Sequence, residues 1–183
     1  MLSLPLQRAT KQTTKNMYAT KLFANIDALK ESGEALPKAL FLSPLPQDVL
    51  ERHEKRLGIK LQPDEKPLLA VNKKIIGTVR GYGWTGILLT DKRLYYRLLK
   101  DVFWSSIISI PQKGSISMEQ VSSLQIGNHD ACYGRAYIGH QLLANGKVLG
   151  LLRMGGAIEF DEKLIDILRG LFEDENTSYM WDN

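Results

Sequence analysis

The sequence predicts an α+β fold that is mainly β: about seven antiparallel strands closed by one C-terminal helix, with two helices ahead of them. Three observations carry this reading. Before residue 63 the apolar residues recur at helical spacing. After it they fall in short runs rich in Ile, Leu, Val and Tyr between turn signals. The last periodic stretch is helical again.

The 183 residues, 44% of them hydrophobic, suffice for one full domain with an attached helical segment. The expected organisation is a flexible tail over 1–16, a helical segment over 17–62, the sheet domain over 63–175 and a short tail over 176–183. Neither an internal repeat nor a low-complexity tract interrupts it. The first 16 residues are basic, acid-free and Thr-rich, and they lack the apolar centre of a signal peptide. They read as a frayed tail rather than a transit peptide. No apolar run approaches the roughly 18 residues of a membrane span. Cys132 is the single cysteine, so no intrachain disulfide can form, which fits a reducing compartment. The expected location is the cytoplasm, with a membrane-peripheral alternative.

From residue 17 to 32, Tyr18, Leu22, Ile26 and Leu29 fall on one stripe, with Asn16 placed to cap the start and Gly33 to end the helix. LPKALFL follows and needs burial against something. SPLPQ then breaks the chain, and Pro46 suits the first turn of a second helix running to about Leu57. Val49, Leu50, His53 and Leu57 share one side of it, and Gly58 is its stop. Strands are expected near 67–73, 85–90, 93–100, 102–110, 121–126, 136–143 and 147–153. Asp91-Lys92 is a plausible two-residue turn, and Asn145-Gly146 is the strongest short hairpin signal, because both residues tolerate positive φ. At the end, IEFDEKLIDILRGLF offers Asp161 as N-cap, with Phe160 and Ile165 spaced as a hydrophobic staple. Leu164, Ile165, Leu168, Leu171 and Phe172 form one apolar face that must cover the sheet.

GILLTDKRLYYR, residues 86–97, resembles the second and third strands of bacterial pleckstrin-homology-like domains, which also look like GRAM domains. SMEQVSSLQIG is similar to a later element of such domains, LLANGKVLGLLRM to their last hairpin, and the helix from Asp161 to their C-terminal helix. The resemblance covers about residues 63–173 and leaves the two N-terminal helices outside it. It implies a strongly bent antiparallel sheet, nearly a barrel, capped at one end by a helix. On the strand 93–100, Leu94, Tyr96 and Leu98 would then face the core, while Arg93, Tyr95, Arg97 and Leu99 would face out.

Several chemical candidates are weaker than they look. GYGWTG has GxGxxG spacing, but a strand follows it rather than a helix, and no GK[ST] is present. It reads as a loop between strands, with Trp84 at or beside its rim. His129, Cys132 and His140 offer three ligands where a structural zinc site usually takes four. A thiolate nucleophile would also need a base and an orienting partner. Glu159, Asp161 and Glu162 cluster where a helix N-terminus attracts acids anyway. No cofactor, metal or catalytic residue is expected.

The basic set is more informative. Residues 72–100 carry seven basic residues against one acid, a local +6, whereas 101–183 carry six basic and eleven acidic residues, a local −5. The candidate binding strip is Lys73, Lys74, Arg80, Tyr82, Trp84, Lys92, Arg93, Tyr95 and Arg97. In lipid-binding members of the wider family, the loop between the first two strands presents Lys and Arg to a phosphorylated headgroup. Here Trp84-Thr85 stands where a basic-x-Arg pair would open the second strand, which argues against specific phosphoinositide recognition. An anionic surface remains open as a partner, with Tyr82 and Trp84 inserting at the interface. Nucleic acid is not expected, because the basic residues are few. The two charge blocks also permit head-to-tail contact between copies. The expectation is therefore a non-enzymatic binding or scaffold domain that holds a protein partner or its own copies. The alternative is peripheral binding to anionic membrane, and an enzyme with an unrecognised site is a distant third.

Overall fold

A computed structural model of the chain describes residues 5–75, 83–99, 111–130, 138–152 and 158–172. In order these are α1 (Pro5–Glu31), β1 (Leu40–Leu42), α2 (Gln47–Leu57), β2 (Pro67–Ile75), β3 (Gly83–Thr90), β4 (Arg93–Leu99), β5 (Pro111–Ser117), β6 (Leu124–Asp130), β7 (Ile138–Ala144), β8 (Lys147–Leu152) and α3 (Ile158–Phe172). The strands form one antiparallel sheet in the order β1-β2-β3-β4-β8-β7-β6, with β5 paired to β4 off that path. β4 pairs with β5 along its whole length, and among the described residues its register pair with β8 is Leu99 with Leu151. The sheet therefore curls there into a half-barrel.

The inner face holds the main core. Ile87, Leu89, Leu94, Leu98, Leu124, Ile126, Leu142 and Leu152 are buried, and α3 closes over them with Leu164, Ile165, Leu168, Leu171 and Phe172. The apolar face read from the sequence of α3 is thus the face it buries. α3 begins at Ile158, so Asp161 falls within its first turn rather than at its cap. An acid is favourable there for the same electrostatic reason. α1 adds Leu22 and Ile26 to the same core, and Gly33, at φ 67°, follows its end. That helix starts at Pro5, so it takes in much of the stretch expected as a tail. Proline suits a first helical turn, where its missing N–H costs nothing.

The turns differ in how they are held. Asn145 and Gly146 have φ of 53° and 74°, the left-handed pair that this dipeptide predicts. The Asn145 side-chain oxygen also accepts from the Ser122 amide at 2.7 Å, tying the hairpin to the start of β6. Neither Asp91 nor Lys92 has positive φ. Instead the Thr90 hydroxyl accepts the amides of Arg93 at 2.8 Å and Lys92 at 3.2 Å. A side chain does the work that glycine would otherwise do.

Three strands depart from expectation. LPKALFL supplies β1, a short edge strand on β2, which buries Leu40. The strand expected over 121–126 appears as β6, because Met118–Gln120 forms a 3-10 turn ahead of it. β5 was not anticipated, and the strand expected over 102–110 lies outside the described residues.

One hydroxyl ties the helices to the sheet. Tyr18 Oη donates to the Phe172 carbonyl at 3.0 Å and accepts from the Leu124 amide at 2.9 Å. Tyr18→Phe leaves both backbone groups without this partner, and each part-buried loss costs about 1 kcal/mol or more. The expected result is a drop of about 1–3 kcal/mol in unfolding free energy, read from denaturant titration at unchanged m-value.

Candidate functional site

The outer face of β2, β3 and β4 is not open. α2 lies across it, and the sequence shows why the helix forms there. Pro46 sets the start, and Gly58 adopts φ 70° and returns its amide to the Glu54 carbonyl at 2.8 Å. Val49, His53 and Leu57 recur every four residues and are buried. They pack on Ala70, Leu88, Trp84 and Tyr95. Burying each large side chain in such a cluster contributes roughly 1.5–3 kcal/mol.

Trp84 is the centre of this layer. It is 6% exposed. The His53 ring meets it edge-on, with centroids 5.3 Å apart, and the Arg56 guanidinium stacks over it at 5.2 Å. The indole N–H donates to the Asn72 side-chain oxygen, which also accepts from Arg56 Nη1 at 2.9 Å. Beneath the ring lies Gly86. A Cβ there would stand 2.3 Å from the Val71 carbonyl oxygen and 2.7 Å from Trp84 Cζ2, so only glycine lets the indole lie flat.

Tyr95 is the second anchor. Its hydroxyl donates to the Glu65 carboxylate, 3.0 Å from either oxygen, and the Thr90 hydroxyl lies 2.8 Å from Glu65 Oε1. Burial, then the hydrogen bond to Glu65, pushes the Tyr95 hydroxyl up to about 12. This buried carboxylate fastens the segment after α2 to the β3–β4 turn.

The candidate strip residues are therefore divided. Lys73 and Lys74 stand on β2 opposite Thr85 and Trp84 in register, and their side chains lie outside the described set. Arg80 and Tyr82 also lie outside it. Trp84 was expected at a loop rim and is instead packed beneath α2, because β3 already begins at Gly83. Lys92 is exposed at the turn and pairs with Asp64. Arg93 is exposed. Tyr95 and Leu99, expected to face solvent, are buried at 8% and 3% exposure. Strand alternation placed Tyr95 on the outer face but did not show that a helix covers it. His129 and His140 lie on β6 and β7, Cys132 is outside the described residues, and no metal-ligating cluster occurs among the described ones.

What the outer face does bring together is a row. Asn72, Gly86, Arg97 and Lys113 are successive register partners across β2, β3, β4 and β5. The last turn of α2 sits over this row. Arg97 Nη1 donates to the Arg56 carbonyl oxygen at 3.4 Å, and the Lys113 ammonium lies 3.3 Å from the Cβ position of Gly58. Burial first, then the positive charges of Arg52 and Arg97, holds the Arg56 guanidinium below its ordinary value. Among the described residues no carboxylate lies within ion-pair distance of Arg56, Arg97 or Lys113. Arg56 and Lys113 were missed as site residues. In the sequence Arg56 reads only as a helix residue, and Lys113 sits on β5, which the apolar pattern does not mark.

No protein-family model matches the chain, and no curated protein matches it.

His53 gives the site a pH dependence. It is fully buried, with Nδ1 2.8 Å from the Val49 carbonyl oxygen and Nε2 3.2 Å from that of Val71. Burial outweighs these two acceptors and lowers its pKa below 6.5, with Arg56 and Arg52 adding to the effect. The folded protein thus binds this proton more weakly than the unfolded chain. The resulting stability is fully present above the unfolded value and is lost as pH falls through the folded one. Unfolding free energy should therefore decline between about pH 7.5 and 5.5, and His53→Gln should flatten that decline in denaturant titrations at the two pH values. Separately, Gly86→Ala should destabilise by about 1–3 kcal/mol and shift tryptophan emission to the red, as the indole is driven from beneath α2.

Proposed function

We propose that the chain is a non-catalytic binding or scaffold domain of the bacterial pleckstrin-homology-like type, contacting a protein partner or its own copies. The curled antiparallel sheet followed by a C-terminal helix is the arrangement that the resemblance of residues 63–173 implies. The observation that carries the reading is the docking of α2. It takes Trp84 and Tyr95 out of reach of solvent and leaves cations without those aromatic anchors on the outer face. A membrane interface favours exposed Trp and Tyr beside the basic residues. A soluble acidic surface needs only the charges.

The chain carries such a surface. An open groove between α1 and α3 is lined by Leu29, Ile167 and Leu171, with Glu34, Glu162 and Asp166 beside them. Lys163 is paired with Glu34 at 3.2 Å and Arg169 with Asp166 at 3.9 Å, which leaves Glu162 as the acid of this groove without an ion pair among the described residues. Positive and negative faces on one molecule favour head-to-tail contact between copies.

Light scattering on the full chain tests this. A mass above the monomer at about 50 mM salt that falls toward the monomer at about 500 mM, and is lowered by Arg93→Glu, is the expected result. A monomer at both salts that co-sediments with phosphatidylserine vesicles and not with neutral ones would overturn the reading in favour of the membrane.

A further inference from the structure

The last turn of α2 collects more positive charge than the fold has a use for. A helix C-terminus carries the equivalent of about half a negative charge. One cation placed there answers it. Here three converge: Arg56 from the helix itself, and Arg97 and Lys113 from adjacent positions on β4 and β5. Roughly two and a half unit charges remain uncompensated by the helix. In the same turn Glu54 and Lys55 offset one another, and no carboxylate among the described residues forms an ion pair with any of the three.

The donors are also only partly used. Arg97 commits Nη1 to the Arg56 carbonyl, while its Nε is buried with no hydrogen-bond partner. An arginine presents Nε and the neighbouring Nη as one fork, the geometry that grips two oxygens of a phosphate or carboxylate. Arg56 commits Nη1 to Asn72 and has its plane fixed against Trp84. Gly58 has no side chain to stand between the helix end and the Lys113 ammonium.

We infer that Arg56, Arg97 and Lys113 form a binding site for a doubly charged oxyanion of the phosphate type, carried by a soluble molecule. A dianion matches the surplus charge better than a single carboxylate does. A soluble source fits because Arg97 is half-buried beneath α2, where a flat membrane surface cannot follow. The inference rests on the binding-domain reading for its use in the cell, but occupancy of the site is a separate fact that needs no partner protein.

The test uses the full chain, ¹⁵N-labelled, titrated with inorganic phosphate and then with O-phosphoserine, chloride being adjusted to hold ionic strength constant. The Trp84 indole N–H, beside Arg56, is the reporter. The expected result is a saturable shift of that resonance. Lys113→Gln should weaken the affinity roughly tenfold, the loss of one charge-assisted hydrogen bond. Lys147→Gln, an equally exposed cation on the β7–β8 hairpin, should leave it unchanged. Neither variant should move the unfolding midpoint, so a change in affinity cannot be laid to misfolding. A shift that fails to saturate, or equal weakening by the two variants, would overturn the site. So would binding to vesicles bearing a phosphorylated inositol headgroup that exceeds O-phosphoserine binding more than tenfold. Failure here leaves the light-scattering result standing, and a monomer there leaves phosphate binding standing.

Discussion

The seating of α2 on Trp84 governs the outer half of the structure. A single indole receives a histidine edge, an arginine face and an asparagine oxygen, and it needs a glycine beneath it. Each contact is small, of the order of 1 kcal/mol, yet they are mutually dependent because all act on one rigid ring. With the ring in place, α2 is held at a fixed height above the strands. Its C-terminal carbonyl then meets Arg97, and Gly58 is set against Lys113. The charge cluster is thus a by-product of apolar docking before it is anything else.

That ordering explains which parts of the molecule are legible in the sequence. α2 is legible because its signals are local: a proline at one end, a glycine at the other, and apolar residues every four positions between. The Asn145-Gly146 turn and the buried face of α3 are legible for the same reason. The cover over the outer face is not local. Alternation along β4 says which way Tyr95 points, not what it meets. A signal was nevertheless present in β3. Ile87, Leu88 and Leu89 form an unbroken apolar run, and all three are fully buried. Continuous rather than alternating hydrophobicity marks a strand covered on both faces.

The candidate strip was legible only as composition. The sequence shows that cations concentrate between residues 72 and 100, but register and helix docking decide which of them meet. Arg97 acquires its neighbours from α2, 41 positions earlier, and from β5, the strand that follows its own. PQKGSIS has too few apolar residues to announce β5, so Lys113 could not be paired with Arg97 beforehand. Tyr95 shows the converse. An aromatic that reads as a surface contact is tied instead to Glu65, a buried acid thirty positions away.

The Tyr18 hydroxyl has a temporal consequence. Its two partners lie 106 and 154 positions further along the chain. A polypeptide leaving the ribosome makes α1 early, and an isolated helix is marginally stable in water. One partner is at hand only after 106 further residues have been made, and the other after 154. α1 must wait for α3, so this part of core closure is a long-range event. Topology of this kind slows folding relative to a chain built from neighbouring contacts.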